Sequence, residues 1–327
     1  MTNNGKAVEL VLPHLGLFRI EGPDALTFLQ SQLTSDVAAL TDDQQAQWTG
    51  YCNPKGRLFF TGWLARTSVE PSVFLLMLDR SLTQAMLKRL RMFVLRAKVS
   101  VEDLSERTRF VGHMSFTDSL ESAHQMPSSM NRIRLPDAKT HRGSPIHRSI
   151  DCLTEKEDLP TCNKPDDDHT GLWHWVHQLA AEAWINATLS ERFVPQMINF
   201  ERIGGVNFRK GCYPGQEVVA RSQYLGKLKR RSQLYRIDDA EQALPEQGQE
   251  LGEASNPELT VIQSTVCPGA LGSTLWDVAN GGIAAGSMSD SHKRAPHALV
   301  FAEGRTDISS DMIGPVVPLP YTLQDEV

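Results

Sequence analysis

Residues 208–231 read FRKGCYPGQEVVARSQYLGKLKRR, with a single cysteine, Cys212, set between a Lys-Gly pair and a Pro-Gly turn. A Gln-Glu pair and a run of cations follow. From Asn207 to Arg236 there are eight cations and one anion, Glu217, a local balance of +7 in a chain of formal net charge −6. Cations beside a thiol favour its anionic form, and Arg209 and Lys210 precede this one. Gly211 and Gly215 let the backbone come close to a ligand. Gln216 and Glu217 form a polar pair able to read the edge of a heterocycle. The plain alternative is a packed thiol in a tight crossover. Lys227, Lys229, Arg230 and Arg231 make a candidate anion-binding patch, with a solvated charged strand as its alternative.

The chain has 327 residues, enough for two or three domains. Its composition, 40% hydrophobic and 22% charged, is that of an ordinary globular protein. The longest apolar run, Val73 to Leu78, is six residues, far below a membrane span. The opening MTNNGKAVEL has no apolar stretch of signal-peptide length, so a cytoplasmic location is expected. Five cysteines without CxxC spacing argue against a disulfide framework and against an all-cysteine zinc site; no metal is expected.

Outward from the thiol loop, IEGPDALTFLQSQLTSDV predicts a strand end, a turn and a helix with a stripe at Leu26, Leu29, Leu33 and Val37. QWTGYCNPKGRLFFTGWLAR predicts two strands about a turn at residues 53–56, and SVFLLMLDR a buried strand. Ser81 to Arg96 has helical spacing at Leu82, Met86, Leu90 and Val94. KVSVEDL and RFVGHMSF complete a small α+β unit. Residues 126–170 lose periodicity, and most of the stretch reads as an irregular surface insertion that carries one short strand. It holds Cys152, Cys162, His141, His147 and His169, whose spacings match no standard zinc pattern. GLWHWVHQLAAEAWI predicts a helix with Trp173, His177 and Trp184 near one face. VVARSQYLG, RRSQLYRI, LTVIQSTV and ALVFAEG are β candidates spaced as in a small barrel. His14, His174 and His177 read as structural, and Trp48, Trp63 and Trp184 as core.

KGCYPGQE, preceded by FVPQMINFERIGGVNFRK and followed by VVAR, closely resembles the signature of the YgfZ family. These are folate-binding proteins associated with tRNA modification and related to the glycine-cleavage T-protein. IEGPDALTFLQSQLTSDV, CNPKGRLFF and PLPYTL also look like family segments. The resemblance implies an α+β fold, a three-domain T-protein-like ring around a folate-binding opening. Its parts would be a discontinuous folate-binding domain (1–46 and 171–231), a ferredoxin-like domain (47–125) followed by the irregular insertion (126–170), and a C-terminal β-barrel (232–327). Tetrahydrofolate, or a one-carbon derivative, is the implied ligand, and iron–sulfur enzymes, one of them modifying tRNA, are the implied clients.

Carried onto this chain, the motif falls on Lys210, Gly211, Cys212, Tyr213, Gly215, Gln216 and Glu217, with Cys212 as the functional thiol. Trp173 matches a folate-contacting tryptophan of the family, and Gln196 and Asn199 match a polar pair. A second tryptophan expected near the N-terminal strand is Leu15 here. The T-protein's catalytic aspartate has no counterpart in Phe59, Phe60 and Thr61, so no carboxylate is at hand to activate a folate nitrogen. A folate-dependent aminomethyl or N-methyl transferase is therefore the second reading. An RNA-binding protein using Lys227–Arg231 is the third, and it lacks interleaved stacking aromatics.

Overall fold

The computed structural model describes residues 8–40, 45–67, 72–115, 132–140, 145–154, 167–225, 228–253, 256–279, 295–305, 313–321 and 323. It is a mixed α/β fold of several antiparallel sheets and few helices. Strand β1 (Val8–Val11) leads into β2 (Leu15–Glu21), helix α1 (Ala25–Gln32), β3 (Gln47–Cys52), β4 (Leu58–Arg66) and β5 (Val73–Asp79). Helix α2 (Thr83–Val94) and β6 (Ser100–Asp103) follow. The first sheet runs β3-β4-β5-β2-β6. Phe18, Ile20, Phe60 and Leu76 face a core made with Phe28 and Leu29 of α1 and Met86 and Leu90 of α2. Leu15, Leu17, Trp63 and Met77 face the opposite way, into the largest core. Burial on both faces explains the nearly unbroken apolar run in β5. Residues 15–32 thus share a layer with 47–103, whereas the sequence reading assigns them to different domains.

The second sheet, ordered β1-β7-β9-β8, uses β7 (Thr108–Ser115), β8 (Arg132–Arg134) and β9 (His147–Thr154). Two strands therefore occupy the stretch expected to be irregular, and β9 pairs along its whole length with β7. The expectation fails for a physical reason. Arg148 is buried on the face of β9 that carries Ile150 and Cys152, and its inward charge breaks the apolar alternation that marks a strand.

Helix α3 (Asp167–Leu179) runs through the largest core, with Leu172, Trp173, Trp175, Val176 and Leu179 buried. Its Gln178 donates to the carbonyls of Gln263 (2.9 Å) and Leu299 (3.1 Å). Gly112 of β7 lies against it: a Cβ there would stand 2.7 Å from the Trp173 ring. The helix stops short of Trp184, because Ala181 takes a positive φ of 50° and reverses the chain.

Helix α4 (Gln216–Tyr224) occupies most of VVARSQYLG, which the sequence reading gives to a strand. Gly215 at φ 78° starts the helix and Val219 alone is buried on it, so the Val-Val pair is a helical face. The third sheet has β10 (Arg230–Ile237), β11 (Glu250–Glu253), β12 (Asn256–Val266), β13 (Ala298–Arg305) and β14 (Val316–Val317), with α5 (Gly269–Ala279) between β12 and β13. Its order is β11-β12-β13-β10-β14. Among the described residues this sheet is open and not a closed barrel, since its edges are a four-residue and a two-residue strand with no pairing to each other. Among the described residues no helix is long and apolar enough to cross a membrane.

Candidate functional site

The thiol loop is fixed on both sides of Cys212. Asn207 opens it by accepting the backbone N–H groups of Arg209 (2.8 Å) and Lys210 (3.1 Å) through its side-chain oxygen. The Lys210 side chain turns into the protein. Its Nζ donates to the carbonyls of Gln30 (2.6 Å), Leu33 (2.6 Å) and Ser35 (3.0 Å). These carbonyls close the end of α1, where the helix dipole favours a cation. Burial lowers the Lys210 pKa to about 8. Tyr213 is buried too, its ring 5.3 Å from Lys210 Nζ. Burial, with Cys52 nearby, pushes its hydroxyl pKa up, and among the described residues that hydroxyl has no hydrogen-bond partner. Gly211 and Cys212 between these anchors are exposed.

Past Pro214, the loop nests on the turn at Asn53–Gly56. A Cβ at Gly215 would lie 2.3 Å from the Asn53 carbonyl oxygen and 2.7 Å from Gly56, so only glycine fits. Asn53 holds that turn, accepting from Lys55 N–H (2.9 Å) and Arg57 N–H (3.0 Å) and donating to Glu191 (2.6 Å). Gln216 is half-buried and Glu217 exposed, in the first turn of α4. The arrangement presents one thiol to solvent on backbone that has little freedom.

The basic strip is divided. Lys227 lies outside the described residues, and Lys229 is exposed. Arg230 makes a two-pronged pair with Glu303 (2.8 and 2.9 Å). Arg231 pairs with Glu201 (2.7 Å) and donates to Asn199 (3.0 Å) and the Gln196 carbonyl (3.2 Å). Gln196 in turn donates to the Val219 carbonyl (2.7 Å), and Asn199 to that of Ser232 (2.9 Å). Arg231 and the polar pair thereby tie α4 and β10 to the segment before the loop, while Arg230 is held within the third sheet by Glu303.

Trp173 stands elsewhere, in an aromatic core. Its ring lies 5.8 Å from His177 and 6.3 Å, edge-on, from Trp63. Trp63 also packs on Trp48 (4.9 Å) and Trp184 (4.7 Å), and His14 on His174 (4.9 Å). Trp184 donates to Asp79 (3.0 Å). The indole nitrogens of Trp63 and Trp173 and Nδ1 of His14 are buried with no hydrogen-bond partner among the described residues. Among the described residues no hydrogen bond or ring contact joins Trp173 to the thiol loop.

Beside these rings, Arg148 clasps Glu182 at 2.6 and 2.8 Å, and His177 Nδ1 lies 3.0 Å from the same carboxylate. Burial pushes Glu182 up, but Arg148 and His177 outweigh it and hold its pKa below the usual carboxylate range. Burial lowers the pKa of His14 and His177, and brings His174 to about 4.

No family model matches the chain. It is 30% identical over 236 residues to the tRNA-modifying protein YgfZ of Colwellia psychrerythraea, covering 67% of this chain and 68% of that protein. The chain belongs to the YgfZ family. The YgfZ of Vibrio vulnificus is 27% identical over 331 aligned positions, 97% of this chain and 93% of its own. The glycine cleavage aminomethyltransferase T of Bartonella henselae superposes with a TM-score of 0.57 at 13% identity, over 91% of this chain and 78% of that one. That likeness shows the fold.

In this YgfZ-family chain, Thr61 stands in the segment that lacks a carboxylate. Its hydroxyl donates to the Ala183 carbonyl (2.9 Å) and accepts from Ile185 N–H (3.0 Å). Among the described residues no group of three or more His, Cys, Asp or Glu is placed to hold a metal. Of the insertion's candidates, Cys152 is buried, His147 bonds Asp137 (3.0 Å), and Cys162 and His141 lie outside the described residues. His169 belongs to α3, and its side chain is not among those described. Sequence reasoning misses the Arg148–Glu182–His177 network. Its one signal is the glutamate inside the apolar run LAAEAWI; Arg148 offers none.

Proposed function

We propose that this YgfZ-family chain binds tetrahydrofolate and acts as an accessory factor in assembling or maintaining iron–sulfur enzymes, tRNA-modifying ones among them. Cys212 is its functional thiol. The observation that carries the reading is the exposed Cys212 between two buried anchors, Lys210 and Tyr213. A thiol needed only for packing would lie inside, as Cys52 and Cys152 do. The relatives' name, tRNA-modifying protein, supplies the link to tRNA.

The residues fit a folate. Trp173 and Trp63 offer indole N–H groups, and His14 a ring nitrogen, that are buried with no hydrogen-bond partner among the described residues and could meet the polar edge of a pterin. Tetrahydrofolate would supply that ring and nitrogens able to carry a one-carbon unit. Trp173, Trp63 and His14 would orient the ring, and the backbone around Gly211 and Gly215 with Gln216 and Glu217 would meet the ligand at the thiol loop. The absence of a carboxylate at Phe59–Thr61 counts against aminomethyl transfer. The internal pairing of Arg230 and Arg231 counts against an RNA-binding strip.

Titrating tetrahydrofolate into the protein is expected to quench tryptophan fluorescence. Trp173→Phe keeps a ring in the core but loses the N–H, and is expected to weaken binding by about 1 kcal/mol, roughly fivefold. No fluorescence change in the wild type, or equal affinity in the variant, would contradict the assignment.

A further inference from the structure

Helix α4 has an apolar outer side. Val218 is 39% exposed, Tyr224 69% and its capping residue Leu225 84%. Positions 218, 221 and 225 fall on one helical face, and Tyr224 borders it. Phe208 meets the Tyr224 ring edge-on at 6.0 Å and widens the patch. Among the described residues eight large apolar side chains are exposed, and three of them stand here. The patch is continuous with the thiol loop. A Cβ at Gly56 would lie 2.9 Å from Val218 Cβ, and Gly56 also abuts Gly215.

The face is positive. Arg221 stands on it between Val218 and Leu225, Arg209 adjoins Phe208, and both are exposed, as is Lys229; Glu217 is the exposed acid of α4. These three exposed cations against one acid lie in a chain of net charge −6.

We infer that the outer side of α4 is a docking surface for a protein whose facing surface combines acidic and apolar groups, seated so that it covers Cys212. This rests on the proposed function in taking that protein to be an iron–sulfur enzyme client. Tyrosine, arginine and aliphatic side chains gathered around an apolar centre are the composition of a protein interface. Tyr224 is the one exposed aromatic of the patch, and the aliphatic Val218 and Leu225 beside it offer area for a protein to bury and no further plane for a nucleic-acid base, which favours a protein over RNA on this face.

Three full-length variants test it in cells lacking the native factor. Tyr224→Ser/Leu225→Asp and Arg221→Glu/Lys229→Glu change exposed groups. Both are expected to keep the wild-type melting temperature and tetrahydrofolate affinity. Each is expected to lower restored tRNA modification about tenfold or more, as loss of an interface anchor does. A photo-crosslinking residue at position 225 is expected to capture an iron–sulfur enzyme, identified by mass spectrometry, and to capture it less when Arg221→Glu is added. Full restoration by Tyr224→Ser/Leu225→Asp, or crosslinks from position 225 to RNA, would overturn the inference. If the wild type restores nothing, the proposed function falls. The crosslink then decides the surface alone: an acidic protein partner upholds it and RNA refutes it.

Discussion

Cys212→Ala is expected to fold as the wild type does and to restore no tRNA modification in cells lacking the native factor. The loop's shape comes from Lys210 on the carbonyls of α1, from buried Tyr213 and from Gly215 on the Asn53 turn. The exposed sulfur contributes to none of these, so its removal is expected to change stability by no more than ~0.5 kcal/mol. Cys52 and Cys152 are poor substitutes, and Cys267 is half-buried in the third-sheet region rather than in the thiol loop. Cys52 and Cys152 are buried, and burial pushes the Cys152 pKa up to about 12 and that of Cys52 higher still. Modification in the variant is therefore expected at the level of empty-vector cells, read by mass spectrometry of digested tRNA alongside a thermal melt. A stable Cys212→Ala protein that complements fully would reduce the cysteine to a bystander.

Arg148→Met is expected to destabilise the protein by about 3–5 kcal/mol, because it leaves a buried carboxylate without its main partner. The Arg148 side chain is 0% exposed and Glu182 4%, with His177 beside them at 2%. Arg148→Met/Glu182→Leu removes both charges and is expected to recover a large part of the loss. Urea titrations of the two variants give the comparison. A single variant within ~1 kcal/mol of wild type would show that the network is not a stabilising centre. Wild-type stability is expected to fall on acidification for related reasons. His177 is buried and His14 and His174 half-buried, and their lowered pKa values keep them neutral, so the folded state resists taking up protons that the unfolded chain accepts below about pH 6.5. For His174 the loss runs down to its folded pKa of about 4. Glu182, held low by Arg148, adds its loss at lower pH still.

Where apolar spacing and burial agree, the fold was legible. The segments read as β3, β4, β5, α2, β10 and β13 form the elements expected of them. The failures share a cause. In β9, Arg148 occupies an inward position that a strand pattern needs apolar, and its carboxylate partner, Glu182, lies 34 residues on, while Asp151 on the opposite face is met by Arg132 and His113 from the neighbouring strands. In α4, two β-branched valines suggested a strand, but the left-handed Gly215 and contacts through Gln196 set a helix. Strand order could not be read at all: β2 sits between β5 and β6 through pairings that no local pattern encodes. The thiol loop was legible as a site, yet the role of Lys210 was not. Adjacent in sequence to Gly211 and Cys212, its ammonium is committed more than 170 residues away, on the end of α1. Arg230 and Arg231 looked like a free cationic strip because Glu303 and Glu201 lie far off in the chain.

The central claim is that the exposed thiol and the folate belong to one site. Alkylation of the native protein, followed residue by residue by mass spectrometry with and without tetrahydrofolate, tests it most directly. Cys212 is expected to react before Cys52, Cys152 and Cys267, and to slow when saturating tetrahydrofolate is present, while the rate at Cys267 stays unchanged. A Cys212 rate no faster than that of buried Cys52, or one indifferent to bound tetrahydrofolate, would contradict the account.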